Sequence, residues 1–256
     1  MDVGKLQQLF AQTLSGDYYG DQPWEGVTAL QQLGTREVFD FAADWCKSFD
    51  PLRRARGIDV IAQIGKTAEH PSNRFPEEAF SVASELVQLE KEIRPLSSAI
   101  FALGHIGNER AVPLAIRHQA HPSADVRYAV AFALGAFPNH AESITTLLRL
   151  TADADPQVRD WSTFGLGVLG DADTQEIRDG LASRLSDSDQ DAREEAIVGL
   201  AKRLDRRTLQ PLVELLNQPN YSYRALEAAS LMLGIDQDGP ELDASQYLQM
   251  LQERFL

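Results

Sequence analysis

Of the residues able to do chemistry, the histidines come first. His70, His105, His118, His121 and His140 are scattered through 256 residues, alongside one cysteine, Cys46. None forms His-Glu-x-x-His, and no Cys/His cluster has zinc-site spacing. His118 and His121 can meet at one helix end, where solvated or capping roles account for them. Asp187-x-Asp189-x-Asp191 begins like a calcium loop, which needs Gly at its sixth position and Glu at its twelfth. Those positions hold Ala192 and Val198, so the run reads as an acidic turn capping the next helix. Phosphate binding needs clustered Lys and Arg. Lys202, Arg203, Arg206 and Arg207 cluster, but strongly acidic stretches flank them. No catalytic residue, metal or cofactor is expected.

What remains is the chemistry of recognition. Lys and Arg total 24 against 38 Asp and Glu, a formal charge of −14. That balance argues against a nucleic-acid or anionic-membrane surface, either of which needs a basic footprint. From Asp153 to Glu195 there are twelve acidic and four basic residues, a net of −8. Such a field can steer a cationic partner. Asp160, Asp171, Asp173, Glu194 and Glu195 are the candidate acidic contacts, and a protein with a basic surface is the expected partner. Tyr128, Phe132, Phe164 and Trp161 are the candidate aromatic contacts. Phe101, Phe132 and Phe164 stand at one position of three successive repeats, which should lie near an inter-repeat seam or on the outer flank. Trp161 occupies a slot held elsewhere by Ala129, Glu195 and Leu226, too variable for deep core and suited to an interface anchor.

These residues ride on a repeat. Ala102-Leu103-Gly104, Ala133-Leu134-Gly135 and Gly165-Leu166-Gly167 recur, with looser copies around Leu30, Ile61, Leu200 and Leu231. The intervals between these anchors are 31, 42, 31, 32, 34 and 31. The long one holds an insertion at Lys66 to Pro76 that reads as a loop. Seven residues before the anchor stand Arg127, Arg159 and Arg193, with Arg54 and Arg224 placed more loosely. Their recurrence at one repeat position predicts a structural ladder to acidic groups or carbonyls of neighbouring turns. From the Arg onward, apolar residues recur at three- and four-residue spacing, which is helical. A second amphipathic stretch follows each time, as in Ala111 to Ala120 and Ala141 to Thr151. Each repeat is therefore read as helix A, a turn and helix B. Neither helix buries its stripe alone, so the repeats must stack.

The pattern Asp-x-x-Val-Arg…Ala-Leu-Gly, followed by B helices such as Ala111-Val112-Pro113-Leu114, resembles HEAT repeats over roughly residues 20 to 235. It is similar to the short subclass named after phycobilisome lyases. A narrower block runs through Val158-Arg159-Asp160-Trp161, Asp173-Thr174-Gln175-Glu176 and Arg193-Glu194-Glu195-Ala196. This block resembles bacterial HEAT-repeat proteins, some encoded beside Rhs-type toxins and proposed as their immunity partners. The resemblance implies an all-α solenoid of about seven helical pairs: a cap at residues 1–19, repeats at about 20–235 and a closing helix within 236–256. It also implies a non-catalytic protein that masks a basic toxin domain. An assembly scaffold, a bilin-lyase-like enzyme and a DNA base-excision enzyme are the alternatives. HEAT-repeat deoxyhypusine hydroxylases carry paired His-Glu dipeptides for iron, whereas Glu69-His70 is the reverse order. With no basic n-region and apolar h-region at the N-terminus and one cysteine, a cytoplasmic monomer is expected. No run of ~18 apolar residues is present to span a membrane.

Overall fold

The computed structural model describes residues 3–235 and 242–255, and all regular structure among them is helical. The chain divides into two compact units, Met1–Phe137 and Pro138–Leu256. The first unit holds α1 (Val3–Gln12), α2 (Asp21–Leu33), α3 (Arg36–Trp45), α4 (Pro51–Ala62), α5 (Pro76–Leu89), α6 (Ile93–Ile106), α7 (Val112–Ile116) and α8 (Ala124–Gly135). The second holds α9 (Ala141–Leu150), α10 (Pro156–Phe164) running into a π-helical turn at Gly165–Leu169, α11 (Gln175–Ala182), α12 (Gln190–Lys202), α13 (Leu209–Leu216), α14 (Tyr223–Leu233) and α15 (Ala244–Phe255). No helix of the described residues is long and apolar enough to cross a membrane. The composition-based turn at Asp236 to Pro240 lies outside the described residues, as does Asp2 of the N-terminal cap.

Even-numbered helices carry the anchors and are the A helices. They stack in succession, α2 on α4, α4 on α6 and α6 on α8 in the first unit, and α10 on α12 and α12 on α14 in the second. Each B helix packs chiefly on the A helix that follows it: α3 on α4, α5 on α6, α7 on α8, and α9, α11 and α13 likewise. The packed hairpin is therefore B-turn-A, which corrects the expected A-turn-B phase. Several B-to-A turns are capped at the start of the A helix. Asp155 accepts from the amides of Gln157 and Val158, and Asp189 from that of Ala192, satisfying donors that a helix start leaves open. α7 is shorter than expected, since a 3₁₀ turn at Glu109–Ala111 precedes it and a turn follows Ile116.

Leu30, Ile61, Leu103, Leu134 and Leu200 are fully buried, and Leu166 nearly so. Leu231 differs from these anchors and is only partly buried. On α14 the deep positions are Ala228, Ala229 and Met232, which turns Leu231 toward the flank of that helix.

The recurring arginines brace the B-to-A turns. Arg54 Nη1 donates to the carbonyls of Ser48 and Phe49, Arg127 Nη1 to those of His121 and Pro122, and Arg159 Nη1 to those of Asp153 and Ala154. Arg193 Nη1 donates to the carbonyl of Asp187 at 2.6 Å. One geometry, reaching back six residues, thus repeats four times. Arg54 and Arg159 also each grip a carboxylate with both oxygens, Glu90 and Asp187 respectively.

Candidate functional site

In the second unit, three A helices bring carboxylates and aromatic rings to one face. α10 supplies Asp160, Trp161 and Phe164, α12 supplies Asp191 and Glu195, and α14 supplies Tyr223, Arg224 and Glu227. Arg224 donates from Nη1 to Glu195 Oε2 at 2.7 Å and from Nη2 to Oε1 at 2.5 Å. Its guanidinium also sits 5.7 Å from the Phe164 ring centre and 5.5 Å from that of Tyr223. Trp161 packs edge-on against Phe164, with centroids 5.6 Å apart.

The charge on this face is out of balance. Burial pushes the Glu195 carboxyl up to about 8 despite Arg224, with Asp160, Glu227 and Asp191 adding repulsion. Burial and the neighbouring Asp191 and Asp189 likewise push Asp160 up to about 6. Carboxylates crowded in a poorly solvated place resist ionising together.

Glu194 and Glu195 correct the expectation of an exposed acidic edge, being 4% and 2% exposed. Glu194 is held by Gln190 Nε2 at 2.7 Å and by the Ser222 hydroxyl at 2.5 Å. The slot of Trp161 is likewise not shallow, since Ala129 and Glu195 fill it fully buried and Trp161 is half-buried.

The remaining candidates lie elsewhere. Asp171 and Asp173 sit beyond the π turn, at the opposite end of the α10 segment from Asp160. Asp171 pairs with Lys202 at 2.8 Å and Asp173 with Arg178 at 2.7 Å. Asp187 is held by Arg159 and Arg184. Five of the twelve acids of the run, Asp171, Asp173, Asp179, Asp187 and Glu195, are thus answered by the chain's own cations. The basic cluster is answered too. Arg203, 6% exposed, donates to the carbonyls of Leu166, Gly167, Gly170, Ala172 and Gly199 and so cages the π turn. Arg207 pairs with Asp205 and Asp179.

Tyr128 and Phe132 belong to the first unit, where they line a cavity of about 530 Å³ with Tyr18, Trp24, Arg94 and Phe101. Every wall residue comes from α2, α4 and the Gln63 that caps it, α6, α8 or the turn before α2, and none from a B helix. Phe101 packs edge-on against Phe132 at 5.0 Å and Tyr128 at 5.5 Å, placing this part of the aromatic column at the α6–α8 seam. Burial, aided by Lys66, pushes His105 down to about 4, so the imidazole here is neutral.

The floor rests on a buried ion pair that sequence reading missed. Arg56 Nη1 lies 3.3 Å from Asp59 Oδ2, its Nε donates to the Thr13 carbonyl, and its Nη2 to that of Tyr18. Tyr18 donates to Asp59 Oδ2 at 2.5 Å, with its ring 3.7 Å from the guanidinium carbon. Arg and Asp three apart on an apolar helix were the available signal. Among the described residues, no group of three or more His, Cys, Asp or Glu side chains is placed to hold a metal.

Comparison with known proteins agrees with this architecture. Protein YibA of Escherichia coli K12 is 27% identical over 206 residues, 78% of this chain and 71% of YibA. The X-ray structure of Escherichia coli YibA matches with a TM-score of 0.72 at 22% identity, over 96% of this chain and 92% of that one. The complex of CpcE and CpcF of phycocyanin lyase from Nostoc sp. PCC7120 matches at 0.52 and 14% identity, over 97% and 94%. These likenesses show an all-α solenoid fold. The profile of HEAT repeats matches residues 85–167 and 149–232, more than half of the sequence, and the chain belongs to the HEAT-repeat family.

Proposed function

We propose that this chain is a non-catalytic protein-binding solenoid whose second unit receives a basic partner on the α10–α12–α14 face. The observation that carries the reading is the gathering of Asp160, Asp191, Glu195 and Glu227 around one guanidinium, that of Arg224. A lysine or arginine of the partner supplies a second cation, ionises Glu195 and Asp160, and lays its stem on Trp161 and Phe164. Charge-assisted hydrogen bonds in such a half-buried place are stronger than those at an open surface. The resemblance to immunity-type HEAT-repeat proteins suggests the class of partner, a basic toxin domain that this chain masks in the cytoplasm.

The test has two parts. An arginine-rich octapeptide is titrated into the full chain by calorimetry, then into Asp160→Asn/Glu227→Gln. The proposal expects binding that weakens at least tenfold in the double variant and weakens with salt. Equal affinity for the two proteins overturns the site. Co-expression with the product of an adjacent toxin gene should restore growth with the wild type and not with the double variant.

A further inference from the structure

The cavity of the first unit points to a second, chemically different site, independent of the acidic face of the second unit. We propose that it binds an aromatic carboxylate, with the ring held among Tyr19, Phe101 and Tyr128 and the carboxylate taken by Arg94 and Ser97.

Its volume, about 530 Å³, falls in the usual range for pockets that enclose a small ligand. Rings and aliphatic groups supply most of its wall surface, among several polar side chains. Two of those polar groups are placed to meet a ligand. Ser97 is 7% exposed, and its Oγ has no hydrogen-bond partner, an unusual state for a buried hydroxyl. Arg94 is exposed, and its interactions are with rings, 4.2 Å from the Tyr18 centroid and 5.4 Å from that of Tyr19. Arg54, Arg56 and Arg110 of the same unit each hold a carboxylate, whereas Arg94 holds none among the described residues. Arg94 and Ser97 are three residues apart on α6, hence neighbours on one helix face. One carboxylate can therefore accept from both.

The sign of the ligand's charge follows from the same groups. Of the two carboxylates on the walls, Asp59 is already held by Tyr18 and Arg56, while Asp125 is exposed at the start of α8. A cationic ligand would be repelled by Arg94 and would leave it without a carboxylate. An anion satisfies both Arg94 and Ser97, and Lys66 beside the neutral His105 adds positive potential. The flat rings favour a planar partner, since edge-to-face and offset stacking add to apolar burial.

Such a group can come from a free aryl acid or from an aromatic residue at a protein's C-terminus. N-acetyl-tryptophan, its carboxamide, and an octapeptide ending in tryptophan with a free or amidated terminus are titrated into the full chain. Ligand-observed NMR reads the binding. The free acid should bind at least tenfold more tightly than the amide, and Arg94→Gln should remove that preference while leaving the amide unchanged. Ser97→Val should weaken the acid several-fold. A peptide acid much tighter than N-acetyl-tryptophan assigns the site to a protein terminus, and equal affinities assign it to a free acid. Equal binding of acid and amide, an undiminished preference in Arg94→Gln, or no binding by any of the four probes overturns the proposal.

Discussion

Asp187 gives both carboxylate oxygens to Arg159, at 2.7 and 2.8 Å, across 28 residues of sequence. Its carbonyl meanwhile accepts from Arg193 at 2.6 Å. One residue thereby joins the turn entering α10 to the turn entering α12. The Arg159 guanidinium holds the Asp187 carboxyl down to about 2, against an ordinary 3.8.

Replacing Asp187 with Asn should destabilise the chain by about 2–4 kcal/mol, because Arg159 is left without its counter-charge. The pH dependence has a definite sign. A carboxyl whose folded value is depressed contributes fully above about 4 and loses its contribution as pH falls toward 2. Urea midpoints from pH 6 to pH 2 should fall more steeply for the wild type than for Asp187→Asn.

Glu195 runs the other way. Its carboxyl rises from 4.5 to about 8 in the folded chain, so the native state binds more protons than the unfolded state between those values. Stability attributable to this group therefore declines as pH rises from about 4.5 to 8. Glu195→Gln removes the titration and keeps a hydrogen-bonding side chain beside Arg224. Its melting temperature should exceed the wild type's at pH 8.5, and the difference should shrink at pH 5.

The buried Arg56–Asp59 pair predicts non-additivity. Arg56→Met leaves an uncompensated carboxylate under the cavity and should cost roughly 3–5 kcal/mol. Adding Asp59→Leu removes that charge and should recover part of the loss, although the bonds from Arg56 to Thr13 and Tyr18 stay broken. Denaturant midpoints of the two single variants and the double variant measure the coupling. A double variant no more stable than Arg56→Met alone would contradict this account.

These pairs mark where sequence reading succeeds and fails. The anchors at Leu103, Leu134 and Leu166 were legible because stacking repeats one packing problem every 31 to 34 residues. The turn holding Asp189 was legible as a cap because capping is local. Glu194 and Glu195 were not, since adjacent acids on a helix read as solvated surface. Their burial depends on Ser222 and Arg224, 28 and 29 residues away. Arg203 read as part of a basic patch, whereas four of its five carbonyl partners lie more than thirty residues earlier, exposed by a π turn that no local pattern announces. The cavity escaped for a similar reason: Tyr18 lies before the first repeat, and Arg94 is not at the recurring arginine position.

That π turn supports a last prediction. α12 crosses it so closely that a Cβ on Gly199 would lie 2.7 Å from the Gly167 Cα, with the Leu181 side chain at 3.1 Å. The near atom is backbone, so the helices must separate to admit a methyl group. Arg203 opposes that separation, because its guanidinium bridges the carbonyls of Gly167 and Gly199 at 2.9 and 2.8 Å. Gly199→Ala should therefore cost about 1–3 kcal/mol, as overpacking does, despite the better helix propensity of alanine. Arg203→Met should also destabilise, since it strands buried carbonyls. In the double variant the bridge is gone and the helices can part, so the two costs should sum to more than the measured loss. Thermal unfolding of the four proteins tests this, and strict additivity would show that Arg203 and the glycine crossing act independently.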